Sequence, residues 1–143
     1  MDSRAIGPKI KAISHLFMRY FKKMHEHGTK PVVSGTNFFI IKYLMEHSGE
    51  PVYQKDIESK FSITKSTCSR VLKLMEEKKL IERVRVESDK RLKRIVPTET
   101  SKKIYRGFKN KIAVLEEQIR KGFTEEELDR LGCDLERIKE NLS

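Results

Sequence analysis

Three residues, Ser62-Ile63-Thr64, separate two segments whose apolar residues both recur at helical spacing. Before them, "YQKDIESKF" (53–61) sets Ile57 and Phe61 four apart. After them, Cys68, Val71, Leu72 and Met75 share one face of a helix predicted from Thr64 to about Lys79. So short a spacer makes two helices turn sharply against one small core, the helix-turn-helix arrangement. The second helix also has an unusual start. Its first two turns carry Thr64, Lys65, Ser66, Thr67, Ser69 and Arg70, and apolar residues take over at Val71, Leu72, Leu74 and Met75. Short side chains that donate and accept, set at the positive end of a helix dipole, suit a surface offered to a polar, anionic partner. The apolar remainder seats the helix on the core.

The rest of the chain supplies the frame. Ile6, Ile10, Ile13, Phe17, Tyr20 and Met24 form one stripe on a long helix expected to end near Gly28. "GTKPVVSGT" (28–36) breaks that pattern, and "NFFIIKYLMEHS" (37–48) predicts a second helix with Thr36 as its N-cap. Being apolar on most sides, it is expected at the centre of the core. After Leu80 the period changes to two: "IERVRV" (81–86) and "LKRIV" (92–96) predict a hairpin with "ESDKR" (87–91) as its charged tip. Helical spacing returns from Thr100 to Lys121, closed by Gly122. "TEEE" (124–127) is a capping box, and Leu128, Leu131, Leu135, Ile138 and Leu142 follow as in a coiled-coil seam. The predicted fold is mainly α with a small β-hairpin wing, a winged helix-turn-helix flanked by N- and C-terminal helices.

Charge identifies the class of partner. The formal net charge is +10. Between Thr64 and Lys103 there are 13 basic and 6 acidic residues, a net of +7; the remainder carries 31 − 13 = 18 basic and 21 − 6 = 15 acidic, a net of +3. Positive charge therefore gathers on the helix-turn-helix and hairpin, which suits a polyanion. The longest apolar run, "FFII" (38–41), is far too short to span a bilayer, and the N-terminus lacks a signal-peptide block. A cytoplasmic protein without a membrane partner is expected. Cys68 and Cys133 match no Cys-x-x-Cys spacing, and Cys68 is expected to point inward as a small core residue. His25 and His27, two apart on a helix, diverge, so neither a metal site nor a cofactor is expected. No nucleophile, phosphate-loop or His-Glu-x-x-His pattern is present, which argues against an enzyme.

The order helix, helix, short helix, then "SITKSTCSRVLKLMEEKKLIER" and "VESDKRLKRIVPT", resembles the MarR (multiple antibiotic resistance regulator) family of winged helix-turn-helix regulators. The resemblance covers essentially the whole chain and is most specific over 57–98, through "STCSR" and Asp89-Lys90-Arg91 followed by Ile95 and Thr98. It implies that Arg91 enters a DNA minor groove, held by Asp89; a narrow minor groove concentrates negative potential and attracts arginine. It also implies a single domain (1–143) acting as a homodimer, with 1–28 and 100–143 as dimerisation helices and 37–98 as the DNA-binding lobe. A small-molecule effector is a further implication, with Phe17, Phe21, Phe38, Ile41, Met45 and Phe108 as candidates for its cleft. The chain departs from the family pattern at three positions. Lys79 stands where glycine usually ends the recognition helix, Glu58 where alanine is common, and Pro97 where the wing usually has an apolar residue.

The resulting expectation is a sequence-specific regulator that binds double-stranded DNA as a homodimer on a pseudo-palindromic site, a ligand-responsive repressor. Ser66, Thr67, Ser69 and Arg70 are the candidate major-groove readers, with Lys65 and Lys73 near phosphates. Arg70 is long enough to engage guanine O6 and N7 bidentately. At the wing the candidates are Asp89, Lys90 and Arg91. Two other readings fit the charge alone: an architectural protein that coats DNA without base preference, and a basic helical module for acidic protein partners.

Overall fold

The computed structural model describes residues 3–24 and 33–143. In chain order the elements are α1 (Gly7–Met24), α2 (Gly35–Glu46), α3 (Gln54–Phe61), α4 (Lys65–Glu77), β1 (Ile81–Val86), β2 (Asp89–Pro97), α5 (Glu99–Arg120) and α6 (Glu125–Leu142). The architecture is the mainly helical one with an antiparallel two-stranded hairpin that the sequence predicts. Residues group into two compact units, one ending at Phe39 and one running from Ile40 to Ser143. Gly28, where the first helix was expected to close, and the His25/His27 pair lie outside the described residues.

In the first unit the apolar stripe of α1 is only partly used. Phe21 is buried, its ring 5.8 Å from those of Phe38 and Phe39, and Phe17 lies 5.7 Å from Phe39. Ile6, Ile10, Ile13, Leu16 and Tyr20 remain 38–65% exposed. Helix α2 begins two residues before the predicted start, and its cap is Ser34 rather than Thr36. The Ser34 hydroxyl accepts from the Asn37 N–H at 3.2 Å, which places Thr36 inside the first turn. As expected of a helix apolar on most sides, Phe38 is buried, and so are Ile40, Ile41 and Leu44 in the part of α2 that belongs to the second unit.

In the second unit, Ile57 of α3 and Cys68, Leu72 and Met75 of α4 are fully buried. Leu74 departs from the expected pattern at 48% exposure. It lies two residues from Leu72, about 200° around the helix, and so misses the face that 68, 72 and 75 share. Each helix end has an identifiable cause. The Asp56 carboxylate accepts the Tyr53 N–H at the start of α3, and the Thr64 hydroxyl accepts the Thr67 N–H at the start of α4. Between them Ser62 takes a left-handed conformation at φ 52°, turning the chain sharply.

The exit of α4 shows how the chain manages without the customary glycine. The helix stops at Glu77, two residues short of the predicted end, and Lys79 is left-handed at φ 59°. The Lys79 N–H donates to Glu76 O at 3.0 Å and the Leu80 N–H to Met75 O at 2.9 Å, a Schellman motif with lysine at the glycine position. Two hydroxyls from the start of α5 complete the junction: Thr98 donates to Lys79 O at 2.7 Å, and buried Ser101 donates to Leu80 O. A Cβ in this conformation costs about 1–2 kcal/mol, part of which is offset by the lower chain entropy of unfolded lysine. Lys79→Gly is therefore expected to stabilise the protein by about 0.5–1 kcal/mol. Urea titration should show a higher midpoint at unchanged slope.

The hairpin is tighter than its sequence suggests. β2 begins at Asp89, so the predicted tip 87–91 reduces to Glu87 and Ser88. One register holds from Ile81↔Pro97 to Arg85↔Lys93, but Val86 faces Asp89, leaving residues 90–92 without partners on β1. Such an insertion bends the strand and throws the unmatched residues outward. Pro97, at the end of β2, costs no ladder donor that the strand needs. The Ile95 N–H donates to Val52 O at 2.8 Å, tying the wing to the segment before α3. Thr98 caps α5, which starts at Glu99, one residue ahead of the predicted start at Thr100, and Gly122 (φ 85°) follows its end. The predicted capping box of α6 is present, with Thr124 N–H to Glu127 at 3.0 Å and Glu127 N–H to Thr124 at 3.1 Å.

Candidate nucleic-acid interface

The start of α4 forms an open polar surface. Lys65, Ser66, Ser69, Arg70 and Lys73 are exposed, and Thr67 is half-buried. The hydroxyls are not independent of one another. Thr64 Oγ1 donates to Thr67 Oγ1 at 2.9 Å and lies 3.3 Å from Ser66 Oγ, so the N-cap organises the first turn. Ser69 Oγ accepts from Nε2 of Gln54, on α3, at 2.9 Å. Thr64 and Gln54 are thus structural partners of the predicted readers. The Gln54 contact spans fifteen residues, and no local pattern announces it.

Asp89, Lys90 and Arg91 are all exposed on the wing. The Asp89 carboxylate accepts the Arg91 backbone N–H at 2.9 Å. The acidic residue therefore holds the arginine through its main chain, as an Asx turn that shapes the unmatched segment 90–92. A groove of about 480 Å³ separates the first turn of α3 from β2, lined by Gln54, Lys55, Asp56, Arg83, Arg91 and Lys93 among others. Four of these are cationic, and the one carboxylate, Asp56, is engaged by the Tyr53 N–H. Arg83, on β1 of the wing, is half-buried, with its Nε 3.6 Å from Glu76 Oε2. Lys55, Arg83 and Lys93 were not among the sequence candidates. Their signal is only charge in a basic chain, and the fold is what aligns them along one groove.

Cys68 lies behind this surface, fully buried, with its Sγ 4.0 Å from Gln54 O. Burial pushes its thiol up from 9.0 to about 11; neighbouring Glu58 adds to the rise and Arg83 opposes it. Because the folded value is the higher one, this contribution to stability is complete below pH 9 and is lost as pH climbs towards 11. At pH 9 an ordinary thiol is half ionised, whereas Cys68 stays largely protonated. Cys133 is exposed. Native protein at pH 7–9 is expected to take up one equivalent of iodoacetamide, at Cys133, and a second only in denaturant. Rapid native modification of Cys68, read by peptide mass mapping, would contradict its inert placement.

The six candidates for an effector cleft are distributed between the units. Phe17, Phe21 and Phe38 belong to the aromatic cluster of the first, where Phe21 also lines an apolar cavity of about 480 Å³ with Met18, Val33 and Gly35, rimmed by Arg19 and Lys22. In the second, Ile41 is fully buried and Met45 half-buried, while Phe108 is half-buried with the Lys111 ammonium 5.1 Å from its ring centroid. Among the described residues no group of three or more His, Cys, Asp or Glu side chains is placed to hold a metal ion, and no helix is long and apolar enough to cross a membrane.

Comparison with known proteins agrees with this geometry. The sequence model of the MarR family matches residues 33–92. The HTH-type transcriptional regulator YybA of Bacillus subtilis is 24% identical over 139 residues, covering 97% of this chain and 87% of its own. Among solved structures, the transcription regulator MarR from Oenococcus oeni superposes with a TM-score of 0.80 at 30% identity, over 95% of this chain and 99% of that one. S. aureus MepR, in a complex with DNA, superposes with a TM-score of 0.83 over 100% of both chains at 22% identity, a likeness of fold.

Proposed function

The chain belongs to the MarR family of transcriptional regulators, non-enzymatic winged-helix proteins, and from that premise we propose that it represses transcription as a homodimer on a pseudo-palindromic operator. The observation that carries the reading is the joint exposure, on one unit, of the hydroxyl- and cation-bearing start of α4 and the basic segment of the wing. In this reading Ser66, Thr67, Ser69 and Arg70 meet base edges in the major groove, with Lys65 and Lys73 at phosphates. Arg91 and Lys90 extend to the adjacent minor groove from the turn that Asp89 holds. The sugar-phosphate strand between the two grooves then lies against Lys55, Arg83 and Lys93. MepR, of the same fold, has been captured with DNA.

The second copy answers a different need. The stripe of α1 and the leucine series of α6 leave large apolar side chains exposed at both ends of the chain. Helices with such faces are covered by one another in a stable assembly. Two-fold symmetry would set two copies of α4 in successive major grooves, about one helical turn apart. The proposed effector is a small apolar or aromatic molecule, for which the cavity beside Phe21 offers almost wholly apolar walls, the stems of Arg19 and Lys22 included. Its action would be a population shift towards dimers whose spacing does not fit DNA. Failure of phenolic and cationic aromatic compounds to shift melting or release operator would count against this part.

Binding-site selection from random duplex DNA at near-physiological salt tests the main reading. An enriched inverted repeat supports it; binding without enrichment favours a DNA-coating protein, and no binding favours a module for acidic proteins. With a site in hand, Arg70→Ala should lose about 1–3 kcal/mol of discrimination at one base pair. Lys73→Ala should weaken all sequences alike and lower the salt slope by about one. Identical base preferences for parent and Arg70→Ala would remove Arg70 from the readers.

A further inference from the structure

Gln54, the first residue of α3, reaches across to the start of α4. Its Nε2 donates to the Ser69 hydroxyl oxygen at 2.9 Å and to the Lys65 carbonyl oxygen at 3.4 Å. The carbonyl fixes the orientation of the amide, because only the NH₂ end can face another oxygen acceptor productively. This geometry constrains the Ser69 hydroxyl. One of its lone pairs accepts from Gln54. The Lys65 carbonyl, four residues back and the usual acceptor for a helical serine proton, has its two lone pairs taken by the Gln54 amide and by the Ser69 N–H of the helical ladder. The Ser69 proton is therefore left for the exposed side of the helix.

We propose that Gln54 is a positioning residue for sequence readout, holding Ser69 as a hydrogen-bond donor in the major groove. The free proton then favours a base that presents an acceptor, guanine O6 or N7, adenine N7, or thymine O4, over one that can only donate to the remaining lone pair. Cytosine offers only its N4 donor on that edge and is disfavoured. This inference rests on the reading of α4 as the helix that enters the major groove.

The test is binding-site selection with the parent, Ser69→Ala and three Gln54 variants, with thermal melting to confirm that each is folded. Ser69→Ala identifies the base position that Ser69 reads. There the parent should deplete cytosine by about 3- to 10-fold, the range of one neutral hydrogen bond. Gln54→Ala frees the serine proton to turn back to the Lys65 carbonyl, and the preference should flatten to within about 2-fold. Gln54→Glu, an acceptor, takes the proton itself and should shift the position towards cytosine or adenine amino groups, with overall affinity lowered by the added negative charge. Gln54→Lys, again a donor, should retain the parent preference. The other positions of the site should keep their preferences throughout, whereas a merely structural role would blur all of them together.

The proposal is overturned if no position responds to Ser69→Ala, if that position is unchanged in Gln54→Ala and Gln54→Glu, or if every position blurs equally. Failure of the parent to enrich any sequence is a separate result. It would remove the sequence-specific reading itself, and the role of Gln54 with it.

Discussion

The double substitution Leu131→Glu/Leu135→Glu is expected to give a folded monomer whose operator affinity falls by about 10²–10⁴-fold, the advantage lost when two linked contacts become one. Leu131 and Leu135 are 38% and 48% exposed on α6, a helix with no buried residue, and Leu142 at its end is 81% exposed. The helix nevertheless has a strong start, with the Thr124/Glu127 capping box and three glutamates in its first turn. In the proposed dimer these leucines, three and four apart and none of them buried within the chain, meet the second copy. Two carboxylates placed there would have to be desolvated for that surface to close. Light scattering at micromolar concentration reads the oligomeric state and titration against operator reads affinity. An unaltered dimer with parental affinity would remove α6 from the interface.

Leu72→Ala should produce the larger stability effect, a loss of about 2–5 kcal/mol, since a fully buried leucine leaves a cavity as well as losing its transfer energy. Melting should fall by roughly 10 °C. Leu74→Ala, on the same helix and two residues away, should stay within about 0.5 kcal/mol because Leu74 is half in solvent. The contrast tests which face of α4 is the buried one, independently of DNA. Leu72 anchors the helix that carries Ser69 and Arg70, so the same cavity should loosen the seat of the reading surface. Comparable losses for Leu72→Ala and Leu74→Ala would mean that the helix is rotated from the orientation described.

Features governed by nearest neighbours on the chain were legible without coordinates. The turn between α3 and α4, the capping box at Thr124, the inward Cys68 and the unusual demand on Lys79 are all set within a few residues. Predictions failed at element ends and faces, where a neighbour one or two residues away could do the same task. Ser34 outcompeted Thr36 as a cap, and Thr98 started α5 because its hydroxyl also serves the exit of α4. Leu74 follows the helical spacing of the core residues, but it lies on a flank position that packing leaves in solvent. The wing shows the same limit. Alternation located both strands, but the start of β2 at Asp89 depends on a register shift opposite Arg85 and Val86.

By itself, then, the sequence determined the order of elements, the helix-turn-helix and the concentration of positive charge around it. These follow from periodicity, turn chemistry and composition, all of which act along the chain. Only the tertiary structure decided that Gln54 engages Ser69, that Lys55, Arg83 and Lys93 line one groove with Arg91, and that Thr98 and Ser101 satisfy the carbonyls at the end of α4. Gln54 and Ser69 are fifteen residues apart, and Thr98 and Ser101 lie nineteen and twenty-one from the carbonyls they satisfy. Hydrogen bonding and charge act through space, and at such separations it is the packing of helices and strands that sets the distances.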